Sequence, residues 1–293
     1  MKISTTTERS CTTFGYKEGI RILHEGGFNY LDMSLYQMRN DYDVLTTANY
    51  REVAKEIKEY ANSLGVTFVQ AHAPFPTQLK DYPAFSADMT KKAMQSLEVA
   101  GILGAEFVVV HPVAQAQVPG DESQKEYNLK MYRSMLPIAK EYGFKICIEN
   151  MWNYDSKRKS FIKNVCSDAE SLVEYHDALD DENITICLDI GHIALVGDDP
   201  AQAIRTIGRD RLGTLHVHDV DYFTDSHTLP YYGKLNWASI SKALGDINYT
   251  GNINFEADNF LKGLPADEQV FKSAIGLMYS VGEHIAKNTG LYK

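Results

Sequence analysis

The features this sequence lacks narrow it first. No apolar run approaches the roughly 18 residues that a bilayer-spanning helix needs, so no membrane role is expected. The opening Met1-Lys-Ile-Ser has no apolar core of the secretory kind, which gives the expectation of a cytoplasmic protein. Cysteine is sparse: Cys11, Cys147, Cys166 and Cys187 form no C-x-x-C pair, so reduced thiols are expected rather than a disulfide framework. Cys147 and Cys187 lie inside apolar runs and read as small buried hydrophobes. Positive charge is also short, with 29 Lys and Arg against 39 Asp and Glu. That balance lacks the basic footprint of a nucleic-acid binder. No Pro/Gly/Ser linker breaks the 293 residues, so one domain over 1–293 is expected. The 44% hydrophobic content supports a sizeable core.

Short β-rich runs alternate with longer amphipathic stretches. Strands are predicted near 2–6, 28–34, 66–72, 106–111, 145–149, 184–189, 212–217 and 252–257. Helices are predicted near 16–26, 48–64, 86–104, 124–142, 167–178, 200–208, 236–246 and 266–287. In the second helical stretch Val53, Ile57, Ala61 and Leu64 recur at helical spacing among charged residues. Gly65, Gly104 and Gly143 stand where left-handed helix ends are expected, and Asp199-Pro200 is a helix start. Strict alternation implies a parallel sheet, and eight pairs suit a single (β/α)8 TIM barrel of the α/β class. An open doubly wound sheet would more typically carry a Gly-rich phosphate loop after its first strand. The segment after Lys2–Thr6 has none.

Four successive apolar runs end on residues that can hold a divalent metal. Glu149 closes Lys145-Ile-Cys-Ile-Glu, and Asp189 closes Ile184-Thr-Ile-Cys-Leu-Asp. His216 closes Leu212-Gly-Thr-Leu-His, and Glu256 closes Asn252-Ile-Asn-Phe-Glu. In a barrel, consecutive strand ends gather at one mouth. Three carboxylates and an imidazole suit one Mn²⁺, Mg²⁺, Co²⁺ or Zn²⁺. Without a cation the carboxylates would raise one another's pKa. His216 and His218 share a strand face, and His216, nearer the end of the apolar run, is the expected ligand. His72, His111 and His192 also stand at strand ends or just beyond. Trp152 and Tyr154 could wall a pocket, and Lys157-Arg158-Lys159 reads as a solvated basic loop with a phosphate-closing role as the alternative. Trp237, at a helix start, is expected to pack. His24, His176 and His284 fall in predicted helices, where surface or packing roles are expected.

Taken in order, these motifs resemble the sugar phosphate isomerase/epimerase family of the xylose-isomerase-like barrel superfamily. The resemblance is carried by His72-Ala-Pro, Val110-His-Pro, Ile148-Glu-Asn, Leu188-Asp-Ile-Gly-His, Leu215-His-Val-His-Asp, Gly233-Lys-Leu-Asn-Trp and Phe255-Glu. It implies a metal site at Glu149, Asp189, His216 and Glu256, with Glu149 and Glu256 doubling as the acid–base pair. It implies that His192 contacts substrate, and His72, His111, His227 and Trp152 are the further expected substrate-binding residues. The implied reaction is sugar epimerisation or aldose–ketose isomerisation by proton transfer through a metal-stabilised enediolate, acting on a sugar or sugar phosphate, in a chain that could form a homo-oligomer. An inosose-dehydratase-type lyase would use the same site. The endonuclease IV-type DNA repair enzymes of the same superfamily hold three zinc ions at positions matching these residues, with Asp225-Ser226-His227 supplying their Asp-x-His. Acidity and the lack of a basic or intercalating loop argue against that reading.

Overall fold

The alternating runs become strands and helices almost where the pattern puts them. In the computed structural model, which describes residues 1–292, the strands are β1 (Lys2–Thr6), β2 (Tyr30–Ser34), β3 (Thr67–His72), β4 (Phe107–Val110), β5 (Lys145–Glu149), β6 (Trp152–Asp155), β7 (Ser160–Lys163), β8 (Ile184–Asp189), β9 (Leu212–Val217) and β10 (Asn252–Phe255). The helices are α1 (Glu8–Phe14), α2 (Tyr16–Glu25), α3 (Tyr50–Ser63), α4 (Pro83–Leu103), α5 (Gln124–Tyr142), α6 (Ala169–Leu179), α7 (Ile190–Leu195), α8 (Pro200–Ile207), α9 (Trp237–Asp246), α10 (Asp258–Leu261) and α11 (Glu268–Asn288). Eight parallel strands close in the order β1-β10-β9-β8-β5-β4-β3-β2, the TIM-barrel topology. Strands β6 and β7 form a separate antiparallel hairpin where the sequence pattern gives a basic loop. Its alternation is masked by Lys157, Arg158 and Lys159 at the exposed tip. Among the described residues no helix is long and apolar enough to cross a membrane.

Local chemistry sets the element ends. Asp199 accepts a hydrogen bond from the Ala201 amide and Pro200 opens α8. Gly104 and Gly143 end α4 and α5 at φ +89° and +78°, a left-handed turn that glycine takes without strain. Asp168 and Ser171 form a capping box at the start of α6.

Two cores result. The larger lies between the strands' outer faces and the helices, with Ile146, Ile148, Ile186 and Leu188 in it. The smaller fills the barrel and contains Val109, Cys147 and Cys187, packed by Phe107. Both cysteines are thus the buried fillers their sequence context implied, and burial pushes their thiols up.

Strand register brings the four candidate ligand positions to one height. Glu149 pairs with Cys187, two residues before Asp189; Asp189 pairs with His216; His216 pairs with Asn254, two residues before Glu256. The positions climb on average by about one residue per strand, the stagger that an eight-stranded barrel with shear of about 8 imposes. Every step is even, so all four side chains stay on the inward face.

Candidate metal centre

Glu149, Asp189, His216 and Glu256 converge at the C-terminal mouth, all buried, with one ligand atom from each within 4.8 Å of the others. His216 Nδ1 lies 2.8 Å from Glu149 Oε1, 3.2 Å from Glu256 Oε2 and 3.9 Å from Asp189 Oδ2. Hard carboxylate oxygens around one imidazole nitrogen fit a divalent ion. Its identity is not specified by this donor set.

The imidazole is held from below. Gln70 places its side-chain amide 3.0 Å from His216 Nε2, which turns Nδ1 toward the carboxylates. Gln70 in turn meets Asp32 and Thr214, and Asn254 joins Asp32 to Ser4, forming a polar layer across the barrel. These residues are absent from the sequence-derived site, although Gln70 and Asn254 stand two positions before His72 and Glu256 on the same inward faces. Burial pushes the Asp32 carboxyl up.

Three carboxylates this close were expected to raise one another's pKa. That mutual effect is present, since Glu149 raises Glu256, but for two of them neighbouring imidazoles outweigh it. Burial pushes Glu149 up, but the imidazoles of His216 and His111 hold it well below the ordinary carboxylate range. Glu256 is likewise lowered by His216 and His227 against burial. Bound cation would act in the same sense as those imidazolium charges.

The remaining predicted residues surround this group. His111 Nε2 and His72 Nε2 lie 2.9 and 3.3 Å from Glu149 Oε2. His192 donates from Nδ1 to the Asn150 carbonyl, and its Nε2 lies 3.5 Å from Asp225 Oδ2. Burial opposes charge on His192, but Asp189 and Asp225 push its pKa up to about 10. His227, held at φ +38°, donates from Nδ1 to the Glu256 carbonyl and sets Nε2 3.2 Å from Asp225 Oδ1. Trp152 donates its indole N–H to Asp225 Oδ2 at 3.1 Å. His218 differs from His216: its Nε2 contacts both Asp189 oxygens at 2.9 and 3.0 Å, and its ring stacks on His227 at 3.9 Å. Tyr36, not foreseen, donates its hydroxyl to Glu256 Oε1. Asp258, also not foreseen, has its carboxyl pushed up to about 7 by burial and by Glu256.

The motif residues between the candidate ligands have structural reasons. Asn150 donates to the Asp189 carbonyl and accepts from the Asp189 amide, tying the ends of β5 and β8 together. A Cβ at Gly191 would stand 2.0 Å from the His218 ring. Asp219 accepts from the amides of Val220, Tyr231 and Leu235 and from the Trp237 indole, so it anchors the loop after β9. A Cβ at Gly233 would fall 2.2 Å from Asp219 Oδ1. Trp237 therefore packs, as its place at a helix start suggested.

A cavity of about 330 Å³ opens over the cluster, bordered by Tyr36, Phe75, His111, Trp152, His192 and Asp258. A larger one of about 410 Å³ lies by α1 and α2, lined by Cys11, Tyr16 and Asp43, away from the four-ligand group. The chemistry points to the smaller.

The barrel and its inward-facing carboxylate–histidine mouth define the class. The chain matches the xylose isomerase-like TIM barrel family over residues 20–281 and belongs to it. It is 28% identical over 248 residues to a D-psicose 3-epimerase of Enterocloster bolteae, covering 80% of this chain and 74% of that protein. Its fold is similar to that of D-psicose 3-epimerase with D-tagatose from Clostridium cellulolyticum H10, with a TM-score of 0.73, 19% identity and coverage of 98% and 99% of the two chains. It is also similar to the IOLI protein with a binding zinc atom, with a TM-score of 0.74, 16% identity and coverage of 98% of each chain.

Proposed function

We propose that this protein is a divalent-metal-dependent sugar isomerase or epimerase that transfers a proton at a carbon beside a carbonyl. The observation that carries the reading is the four-ligand group Glu149, Asp189, His216 and Glu256 at the floor of a sugar-sized cavity. The relationship to a D-psicose 3-epimerase supports the same chemistry. When bound, the ion would polarise a carbonyl and neighbouring hydroxyl and acidify the C–H between them.

This chain's residues then divide the work. Glu149 and Glu256 stand on strands separated by β8 and β9, so they reach a bound sugar from different sides. One carboxylate removes the proton and the other, carrying a proton taken from solvent, returns it to the opposite face, which inverts the carbon. Return at the adjacent carbon gives aldose–ketose isomerisation. His72 and His111 hold one Glu149 oxygen, and Tyr36 holds one Glu256 oxygen, fixing both carboxylates for transfer. His192 and His227 line the cavity with each Nδ1 on a backbone carbonyl and each Nε2 turned to Asp225, a fixed polar rim beside the substrate, while Trp152 and Phe75 supply apolar walls that exclude water.

The test is a panel of ketoses, ketose phosphates and inososes incubated with Mn²⁺-loaded protein in deuterated water. Exchange at a carbon next to the carbonyl supports the reading. No exchange in any of them, with full metal occupancy, rejects it.

A further inference from the structure

Building on that reading, we propose that the substrate is an anionic sugar, bearing a phosphate or a carboxylate, and that Arg9 recognises its charge. Among the described residues Arg9 is the one lysine or arginine lining the catalytic cavity. Its Nε is buried without a hydrogen-bond partner. Arg21, Arg51, Arg158, Arg205 and Arg211 each have a carboxylate partner; Arg9, Arg39, Arg133 and Arg209 enter no ion pair among the described residues, and of these four Arg9 alone lines the cavity. A buried donor left unmade is costly, so such a group in a cavity points to a partner that arrives with the ligand.

Neither neighbouring carboxylate fills that role: Asp258 shares the cavity and feels the Arg9 charge but makes no ion pair with it among the described residues. Glu8 accepts from Ser34 Oγ at 2.6 Å on one oxygen and from Gln37 Nε2 at 2.8 Å on the other. The basic tip Lys157-Arg158-Lys159, the other candidate for a phosphate, is exposed and absent from the cavity lining. A guanidinium fork matches the paired oxygens of phosphate or carboxylate better than scattered hydroxyls. Arg9 follows β1, which pairs with β10, so the anionic end of the substrate lies on the Glu256 side of the cavity.

The experiment compares wild type, Arg9→Gln and Arg9→Lys, all Mn²⁺-loaded and checked for an intact melting transition. Solvent-deuterium exchange is measured on D-fructose, D-fructose 6-phosphate and D-fructuronate, and sulfate binding by calorimetry. We expect wild type to favour an anionic sugar in kcat/KM by about 30-fold, the size of a charge-assisted hydrogen bond. That preference collapses to near unity in Arg9→Gln and survives in part in Arg9→Lys. Preference for the 6-phosphate assigns a phosphate, and preference for fructuronate a carboxylate. Absence of preference in wild type, or its persistence in Arg9→Gln, overturns the proposal. If no sugar exchanges, the isomerase reading fails on its own, and sulfate decides: binding about tenfold weaker in Arg9→Gln upholds the anion site, and equal binding overturns it.

Discussion

On one side of the barrel mouth, Glu149, Asp189 and Glu256 surround a single imidazole; on the other, His192, His218 and His227 surround a single carboxylate, Asp225. The two groups use the same residue types in opposite ratio. The first carries excess negative charge in a buried space, which a divalent cation relieves. The second balances itself. Burial opposes charge on Asp225, but His192 and His227 hold it well below the ordinary carboxylate range, and Trp152 donates to it as well. His218 has its Nε2 committed to Asp189. The lesson is that closeness of histidines and carboxylates is not sufficient for a metal centre; the charge left over decides. On the proposed reading the first group would take the ion, and the second would stand beside it as a self-held polar rim of the cavity.

The largest expected effect lies in the first group. Glu149→Gln and Glu256→Gln each remove a proton carrier while keeping an oxygen ligand. Each should lower solvent exchange by about 10²–10⁴-fold, the usual contribution of a positioned acid or base. Metal content measured beside turnover makes the result interpretable. Should either variant keep both full metal and full exchange, the acid–base assignment is wrong.

Metal stoichiometry tests the comparison itself. Elemental analysis after dialysis against Mn²⁺ should give one ion per chain. Chelation should lower thermal stability, since an ion at 100 times its Kd stabilises the folded state by about 2.7 kcal/mol. Three zinc ions per chain, together with cleavage of abasic-site DNA, would erase the distinction between the groups. That outcome would also put His72, His111 and Glu149, whose ligand atoms gather within 4.8 Å, into a metal site of their own.

Much of this was legible in the sequence because barrels write their chemistry at strand ends. Glu149, Asp189 and His216 each finish or nearly finish an apolar run, and strand period and shear do the rest. His216 could be separated from His218 only weakly by spacing. Both point inward, and it is the side-chain geometry that gives His216 to the carboxylates and His218 to Asp189 alone. Tyr36, Arg9 and Asp258 were not legible, because each lies beyond a strand end in a segment whose path depends on packing. Gln70 and Asn254 were hidden for another reason. They interrupt apolar strands, and a polar interior residue has meaning only once the His216 ring is seen resting on Gln70. The β6–β7 hairpin was lost to its charged tip.

A smaller effect is expected in the second group. His227→Asn should leave one ion per chain and raise KM for the preferred sugar by about tenfold, the loss of one charge-assisted hydrogen bond. A drop in metal content would place His227 among the ligands and break the contrast drawn above.

The smallest effect separates two uses of one side chain. Trp152 donates to Asp225 Oδ2 and also walls the cavity beside His192, whose ring centroid lies 6.2 Å away. Trp152→Phe removes the donor and keeps an apolar ring, so kcat/KM should fall by about fivefold, matching a neutral donor worth about 1 kcal/mol. Trp152→Ala removes the wall as well and should cost more, because water then reaches the imidazole–carboxylate pair and weakens it. If the two variants behave alike, the ring contributes nothing beyond its N–H. If Trp152→Phe matches wild type, Asp225 is held adequately by His192 and His227, and the second group is self-sufficient without the indole.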